Sequence, residues 1–144
     1  MKFRLIIDKN REEEVIVYSH NKTKLTDEIE KLVENDSAEL IGYIEREMYK
    51  IRLSEVCCFV AENNNVYAIT DVNRLRVKQR LYQLEEMLGD DYLKINQSCI
   101  VKVKEIRKFD ASLSGALRVT LKNGYSDYVS RRNIKKVKER LGVK

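Results

Sequence analysis

The 144-residue chain has no proline, no tryptophan, one histidine, three cysteines and five glycines. Each scarcity removes a class of protein. Without proline there is no Pro-rich linker, and no stretch rich in Gly or Ser takes its place. His20 lies in a polar N-terminal loop, so no Cys–His pair is spaced for nucleophilic catalysis. A zinc site lacks ligands for the same reason, and neither metal nor cofactor is expected. The glycines (Gly42, Gly89, Gly115, Gly124 and Gly142) are scattered as turn or cap residues and build no phosphate loop. An odd cysteine count argues against a disulfide framework; Cys57, Cys58 and Cys99 read as small buried apolar residues. No apolar run approaches the ~20 residues of a membrane span. Met1–Asp8 lacks the long apolar core of a signal peptide, and a cytoplasmic location is expected.

Acidic pairs do not supply an enzyme either. Asp90-Asp91 follows a helix stop, and Glu12–Glu14 reads as a solvated loop. What is abundant is charge, 35 % of residues, and it is unevenly placed. Residues 1–45 hold 7 Lys+Arg against 11 Asp+Glu, whereas residues 46–144 hold 21 against 12. The larger part steers polyanions toward itself and the smaller part does not. Its basic residues are not on an aromatic-faced amphipathic helix, which disfavours a membrane surface.

Periodicity predicts a mostly β chain with a few short helices. Lys2–Ile7 and Val15–Tyr18 read as strands. A helix follows, capped by Thr23 or Thr26, with Leu25, Ile29, Leu32 and Val33 as its stripe, ending at Asn35-Asp-Ser. Residues 1–37 thus read as a small β-β-α segment. Strands are expected at Glu39–Ile44, Tyr49–Leu53, Val56–Ala61, Val66–Thr70 and Arg74–Val77. Lys78–Leu88 reads as a helix stopped by Gly89. Further strands are expected at Leu93–Ile95, Cys99–Val101, Ile106–Asp110, Leu117–Leu121 and Tyr125–Val129. Asn123-Gly124 carries the signal of a type I′ hairpin turn.

A last helix begins after Ser130, with Ile134, Val137 and Leu141 on one face. Arg131 and Arg132 then occupy its first turn, where the helix dipole disfavours cations by a few tenths of a kcal/mol. A broken local rule of this kind marks a candidate site for a phosphate or a guanine edge. Residues 130–144 hold seven cations, Arg131, Arg132, Lys135, Lys136, Lys138, Arg140 and Lys144, against Glu139 alone. Two amide clusters, Asn63–Asn65 and Asn96-Gln97-Ser98, lie between strands. An isolated Asn cluster is an ordinary turn, but amides can also pair bidentately with adenine.

Four stretches carry a family likeness. They are Tyr49-Lys-Ile-Arg-Leu-Ser-Glu-Val-Cys-Cys-Phe-Val-Ala-Glu with Leu84-Glu-Glu-Met-Leu, then Tyr92-Leu-Lys-Ile-Asn-Gln-Ser-Cys-Ile-Val, then Val129-Ser-Arg-Arg-Asn-Ile-Lys-Lys-Val. In this order and spacing, the region from about residue 38 to 143 resembles the LytTR DNA-binding domain of bacterial response regulators and stand-alone transcription factors. The resemblance implies a LytTR-like β fold that reads successive major grooves with loops rather than with a recognition helix. It implies base contacts from Asn63, Asn64 and Asn65, from Asn96 and Gln97, and from Arg132. Backbone contacts fall to Ser98, Lys102, Lys104, Arg131, Lys135 and Lys136. The second loop departs from the commoner His-Arg-Ser or His-Asn-Ser, and Lys102 stands where an Asn is usual.

About 40 residues precede this region, too few for a receiver domain, so the layout resembles a stand-alone regulator. The expected division is 1–37, a dimerisation or regulatory segment, and 38–144, the DNA-binding domain. The expected function is sequence-specific binding of double-stranded DNA at spaced repeats by a homodimer, with no enzymatic activity. A membrane-protein antagonist is implied by the family alone. The competing reading is a regulatory module whose basic face docks an acidic protein. RNA binding is disfavoured because Tyr 8, Phe 3 and Trp 0 leave few rings for an exposed stacking row.

Overall fold

A strand whose residues alternate buries one face, and a strand that is apolar throughout is buried on both. Both patterns occur here. The computed structural model describes residues 1–111 and 115–142, with the backbone alone at 35–37. After α1 (Lys24–Ser37) come β1 (Glu39–Ile44), β2 (Glu47–Arg52), β3 (Cys58–Glu62), β4 (Asn65–Ile69) and β5 (Arg74–Val77). Then follow α2 (Leu81–Met87), β6 (Tyr92–Asn96), β7 (Cys99–Lys102), β8 (Ile106–Ala111), β9 (Leu117–Leu121), β10 (Ser126–Val129) and α3 (Arg131–Leu141). A seven-stranded sheet runs β2-β1-β5-β4-β3-β7-β6, and a three-stranded sheet runs β10-β9-β8. Every pairing is antiparallel.

The long sheet has a core on each side. On one face Leu40, Ile51, Phe59, Val66, Ala68, Leu75, Val77 and Ile100 pack with Leu81 and Leu84 of α2. The Tyr92 hydroxyl closes that core, donating to the Leu53 carbonyl at 2.7 Å and lying 3.0 Å from that of Val56. On the other face Cys58, Val60, Leu93, Ile95, Cys99 and Val101 meet Leu117, Val119 and Leu121 of the short sheet, with Val129 and Val137. Strands β3 and β7 lie between the cores, which explains their unbroken runs Cys58-Phe59-Val60 and Cys99-Ile100-Val101. Each such large side chain contributes ~1.5–3 kcal/mol by leaving water. Burial also pushes the Cys57 and Cys58 thiols up to about 12, so they stay protonated and unreactive.

The mostly β expectation holds, and four local readings are corrected. The β-β-α reading of residues 1–37 gives only its helix: 1–23 form no strand, and Phe3, Leu5, Ile7 and Tyr18 are exposed. Strand-forming residues do not make a strand without a partner edge or an apolar face to cover. The helix itself is capped as expected, by a reciprocal Thr23–Thr26 box, and runs through Asn35 to Ser37. Gly89 is not a left-handed stop; Leu88 leaves α2 in extended form, which turns its side chain into the core. Asn123-Gly124 is not a type I′ turn. Gly124 alone takes φ +92°, and its N–H donates to the Leu121 carbonyl at 3.0 Å. This is a type I turn closed by a left-handed residue. The true type I′ turn is Asn63-Asn64, with φ of 51° and 64°, joining β3 to β4. No described helix is long and apolar enough to cross a membrane.

Gly42 marks a close approach between strands. A Cβ there would stand 2.7 Å from the Leu75 Cβ of β5. Gly42→Ala is expected to cost ~1–3 kcal/mol through displacement of β1 from β5. Denaturant unfolding measures it, and a midpoint equal to that of the parent would contradict the contact.

Candidate nucleic-acid interface

One end of the long sheet gathers the three polar clusters. Neighbouring strands β3 and β7 bring the first two together, and the Ala61 N–H donates to the Ser98 carbonyl at 2.8 Å. The third is tied to β6, where the Ser130 N–H donates to the Ile95 carbonyl at 2.9 Å. Asn63-Asn64, Gln97-Ser98 and Arg131-Arg132 therefore stand side by side, and all six residues are exposed.

Backbone chemistry decides what each cluster can present. Few residues other than glycine accept left-handed φ, and Asn is the commonest. The β3–β4 turn thus accounts for Asn63 and Asn64 without removing their side chains from solvent. Asn65 opens β4 and lies partly buried, its Nδ2 3.4 Å from the Asn63 carbonyl. The turn is braced by Arg80, whose guanidinium donates to the Asn64 carbonyl at 3.0 Å. In the second loop Asn96 spends both ends of its amide on the protein. Its Nδ2 donates to the Tyr128 carbonyl at 2.7 Å, and its Oδ1 accepts the Ser98 N–H at 2.7 Å. Asn96 therefore shapes the loop and ties it to β10, while Gln97 is the amide left outward.

Ser130 occupies the N-cap of α3, but its hydroxyl does not cap the backbone; it accepts from Asn133 Nδ2 at 2.9 Å. No acidic residue lies in the first turn. Val137 is buried and Ile134 half-buried, so Arg131, Arg132, Lys135 and Lys136 face solvent. Among the described residues none of these four enters an ion pair. Lys144, the last of the seven cations, lies outside the described residues.

Lys102 and Lys104 are not brought to this end. Lys102 ends β7, roughly 13 Å from Ser98 along the strand, and Lys104 lies in the turn beyond it. The Lys102 ammonium donates to the Ser54 carbonyl at 2.8 Å. Both lysines line a cavity of about 150 Å³ with Leu32 of α1 and Asp91. Also away from the loops, Cys57, Asp71 and Glu105 are close enough to share a cation. The protonated Cys57 thiol already donates to Asp71 Oδ1 there, at 3.4 Å. Arg80 was not among the expected site residues. Its signal is the alternation Arg74-Leu-Arg-Val-Lys-Gln-Arg80, which puts cations on every second residue.

The profile of the family described as LytTr DNA-binding domain matches residues 46–142. Proteins of Staphylococcus aureus strains NCTC 8325 and COL, each named as an uncharacterized HTH-type transcriptional regulator, are 36 % identical over 99 % of this chain and 99 % of their own. A solved LytTr DNA-binding domain of a putative methyl-accepting/DNA response regulator from Bacillus cereus superposes with a TM-score of 0.69. It is 19 % identical and covers 74 % of this chain and 98 % of its own, a likeness of fold.

Asn96→Ala leaves the Tyr128 carbonyl and the Ser98 N–H without their partners. We expect a loss of ~1–3 kcal/mol in stability and faster amide exchange at Gln97 and Ser98. Exchange rates unchanged in this loop would show that the amide does not hold it.

Proposed function

Because the chain belongs to the LytTr DNA-binding domain family, we propose that it is a non-enzymatic transcriptional regulator that grips double-stranded DNA with the three-loop end of its long sheet. The observation that carries this reading is the convergence there of Asn63-Asn64, Gln97 and Arg132, flanked by Arg131, Lys135 and Lys136, which enter no ion pair among the described residues. Arg132 suits a guanine edge, to which a guanidinium donates twice, and the amides suit adenine. Arg131, Lys135, Lys136 and Ser98 suit phosphates. Asn96 and Asn65 act by positioning, and Lys102 and Lys104 stand apart from the contact. The relatives' name points to regulation of transcription, although no helix-turn-helix occurs among the described residues.

Selection of bound duplexes from a random pool at near-physiological salt tests the class, and spaced repeats are the expected product. On a selected duplex, Arg132→Ala is expected to lose ~1–3 kcal/mol and to relax preference at one or two base pairs. Lys135→Ala is expected to weaken all duplexes alike and to flatten the salt slope by about one. An Arg132→Ala protein with unchanged affinity and preference overturns the base contact.

Residues 1–37 serve in this reading as the pairing segment of a homodimer, and 38–144 as the DNA-binding domain. A 17.0 kDa chain that covers its own apolar surface exposes about 7,700 Å², whereas this one exposes 11162 Å². Uncovered apolar residues of the N-terminal segment contribute to the excess. Phe3 is 91 % and Tyr18 92 % exposed, and the α1 stripe at Leu25, Leu32 and Val33 is half open. A standard interface removes ~1,600 Å², well within the excess. Light scattering is expected to give a dimer for the full chain and a monomer once residues 1–23 are removed. A full-length monomer at tens of micromolar contradicts it.

A further inference from the structure

The open half of the long sheet carries a second cationic feature that the loop end does not use. Along β5, Leu75 and Val77 are buried, so Arg74, Arg76 and, just beyond, Lys78 project from the opposite face. That face is covered by the short sheet over β3, β7, β6 and the Ile69 end of β4, but not over β5 and β1. Alternate strand residues repeat about every 6.6 Å. Beyond the end of β5, Arg80 at the N-cap of α2 holds the Asn64 turn with its guanidinium. The cations therefore lead from the loop end to the strand.

Two tyrosines hold the row on this face. Tyr67 of β4 and Tyr43 of β1 are the register partners of Arg76 on either side. The Arg76 guanidinium lies 5.0 Å and the Lys78 ammonium 5.3 Å from the Tyr43 ring centroid. Arg74 lies 4.1 Å from the Tyr67 ring and is ion-paired with Glu62, which neutralises it. Arg76, Lys78 and Arg80 enter no ion pair among the described residues. A face that is only solvated intersperses both signs. Here Arg76 and Lys78 stack on a ring and Arg80 donates to a carbonyl, so none of the three is neutralised by an acid among the described residues and the charge stays available.

We propose that Arg76, Lys78 and Arg80 form a phosphate track for DNA flanking the bases met by the loops, and that the flank bends toward the open sheet to reach it. This rests on the loop end being the DNA-reading face. A duplex fits better than an acidic protein because the row is linear, is continuous with the loop end, and meets a polymer with one charge per ~1.7 Å of axis. The row presents cations and no amide, so it adds affinity without sequence preference.

The test uses the full chain and the duplex selected above, alone and with about 15 base pairs of arbitrary flank on each side, roughly one and a half turns. The parent protein is expected to bind the longer duplex more tightly and to bend it. Arg76→Ala/Lys78→Ala is expected to bind the long duplex roughly tenfold more weakly, with a salt slope shallower by about two. It is expected to bind the short duplex as the parent does, and Arg76→Lys/Lys78→Arg to restore the long-duplex affinity. An unchanged long-duplex affinity, or an equal loss on both lengths, overturns the track. Arg132→Ala run in parallel separates the two readings. If it loses base preference while the double variant matches the parent, the loop face stands and the track falls. If it keeps base preference, the loop assignment falls on its own.

Discussion

The pairing of β3 with β7 is the constraint on which the rest depends. Both strands are buried on both faces, so they cannot slip by one residue without exposing one core and overfilling the other. That fixed register sets the β3–β4 turn against the β6–β7 loop, with the Ala61–Ser98 hydrogen bond at the junction. The strand beyond, β6, carries the same order outward, since Ile95 anchors Ser130 and Asn96 anchors Tyr128. The clusters are separated by more than thirty residues in sequence, yet each is placed by main-chain hydrogen bonds, reinforced by the side chains of Arg80 and Asn96. A loop surface built this way is pre-organised, which lowers the ordering cost that weakens most loop-mediated binding.

Much of this was legible in the sequence, and the misses have physical reasons. The alternation Leu117-Arg-Val-Thr-Leu121 and the stripe Ile134, Val137, Leu141 predicted β9 and α3 because each element buries one face against a single core. The runs of β3 and β7 identified strands but not their place between two cores, which depends on residues far along the chain. The turn readings were exchanged: Asn-Gly is the strongest local signal, but an extra loop residue made Gly124 the only left-handed position, while Asn63-Asn64 took the type I′ geometry. Lys2–Ile7 and Val15–Tyr18 have strand-forming residues and no strand, because propensity is expressed only against a partner. For the site, the three clusters were visible as polar breaks between strands. That Asn96 faces inward and that Lys102 belongs to the other end were not, since both depend on strand direction in the folded sheet.

The cations at the start of α3 keep their significance, but their setting changes it. A capped helix end stabilised by an acid would neutralise Arg131 and Arg132. Instead Ser130 is engaged with Asn133, the first turn has no acid, and the helix is held through Val137. The chain thus bears a small local cost of a few tenths of a kcal/mol to keep two guanidinium groups uncompensated at the surface. In the proposed contact the helix is a mount for those groups rather than an element that enters a groove. The separation of the three described helices by strands leads to the same conclusion from topology, whatever the relatives' helix-turn-helix name suggests.

Division of labour among the loops then follows from side-chain physics. Gln97 is free and loses up to ~2 kcal/mol of rotamer entropy on pairing with a base. Asn63 and Asn64 are short side chains on a backbone already fixed by the turn, so they lose less, but they reach less far. Arg132 combines reach, charge and a planar fork whose two hydrogen bonds discriminate by ~1–3 kcal/mol. In the proposed contact, discrimination therefore concentrates on Arg132, affinity on the surrounding cations, and the amides refine the choice at neighbouring pairs. An interface in which cations carry most of the affinity is strongly salt-dependent, and each uncompensated cation along its edge widens the footprint without sharpening the sequence.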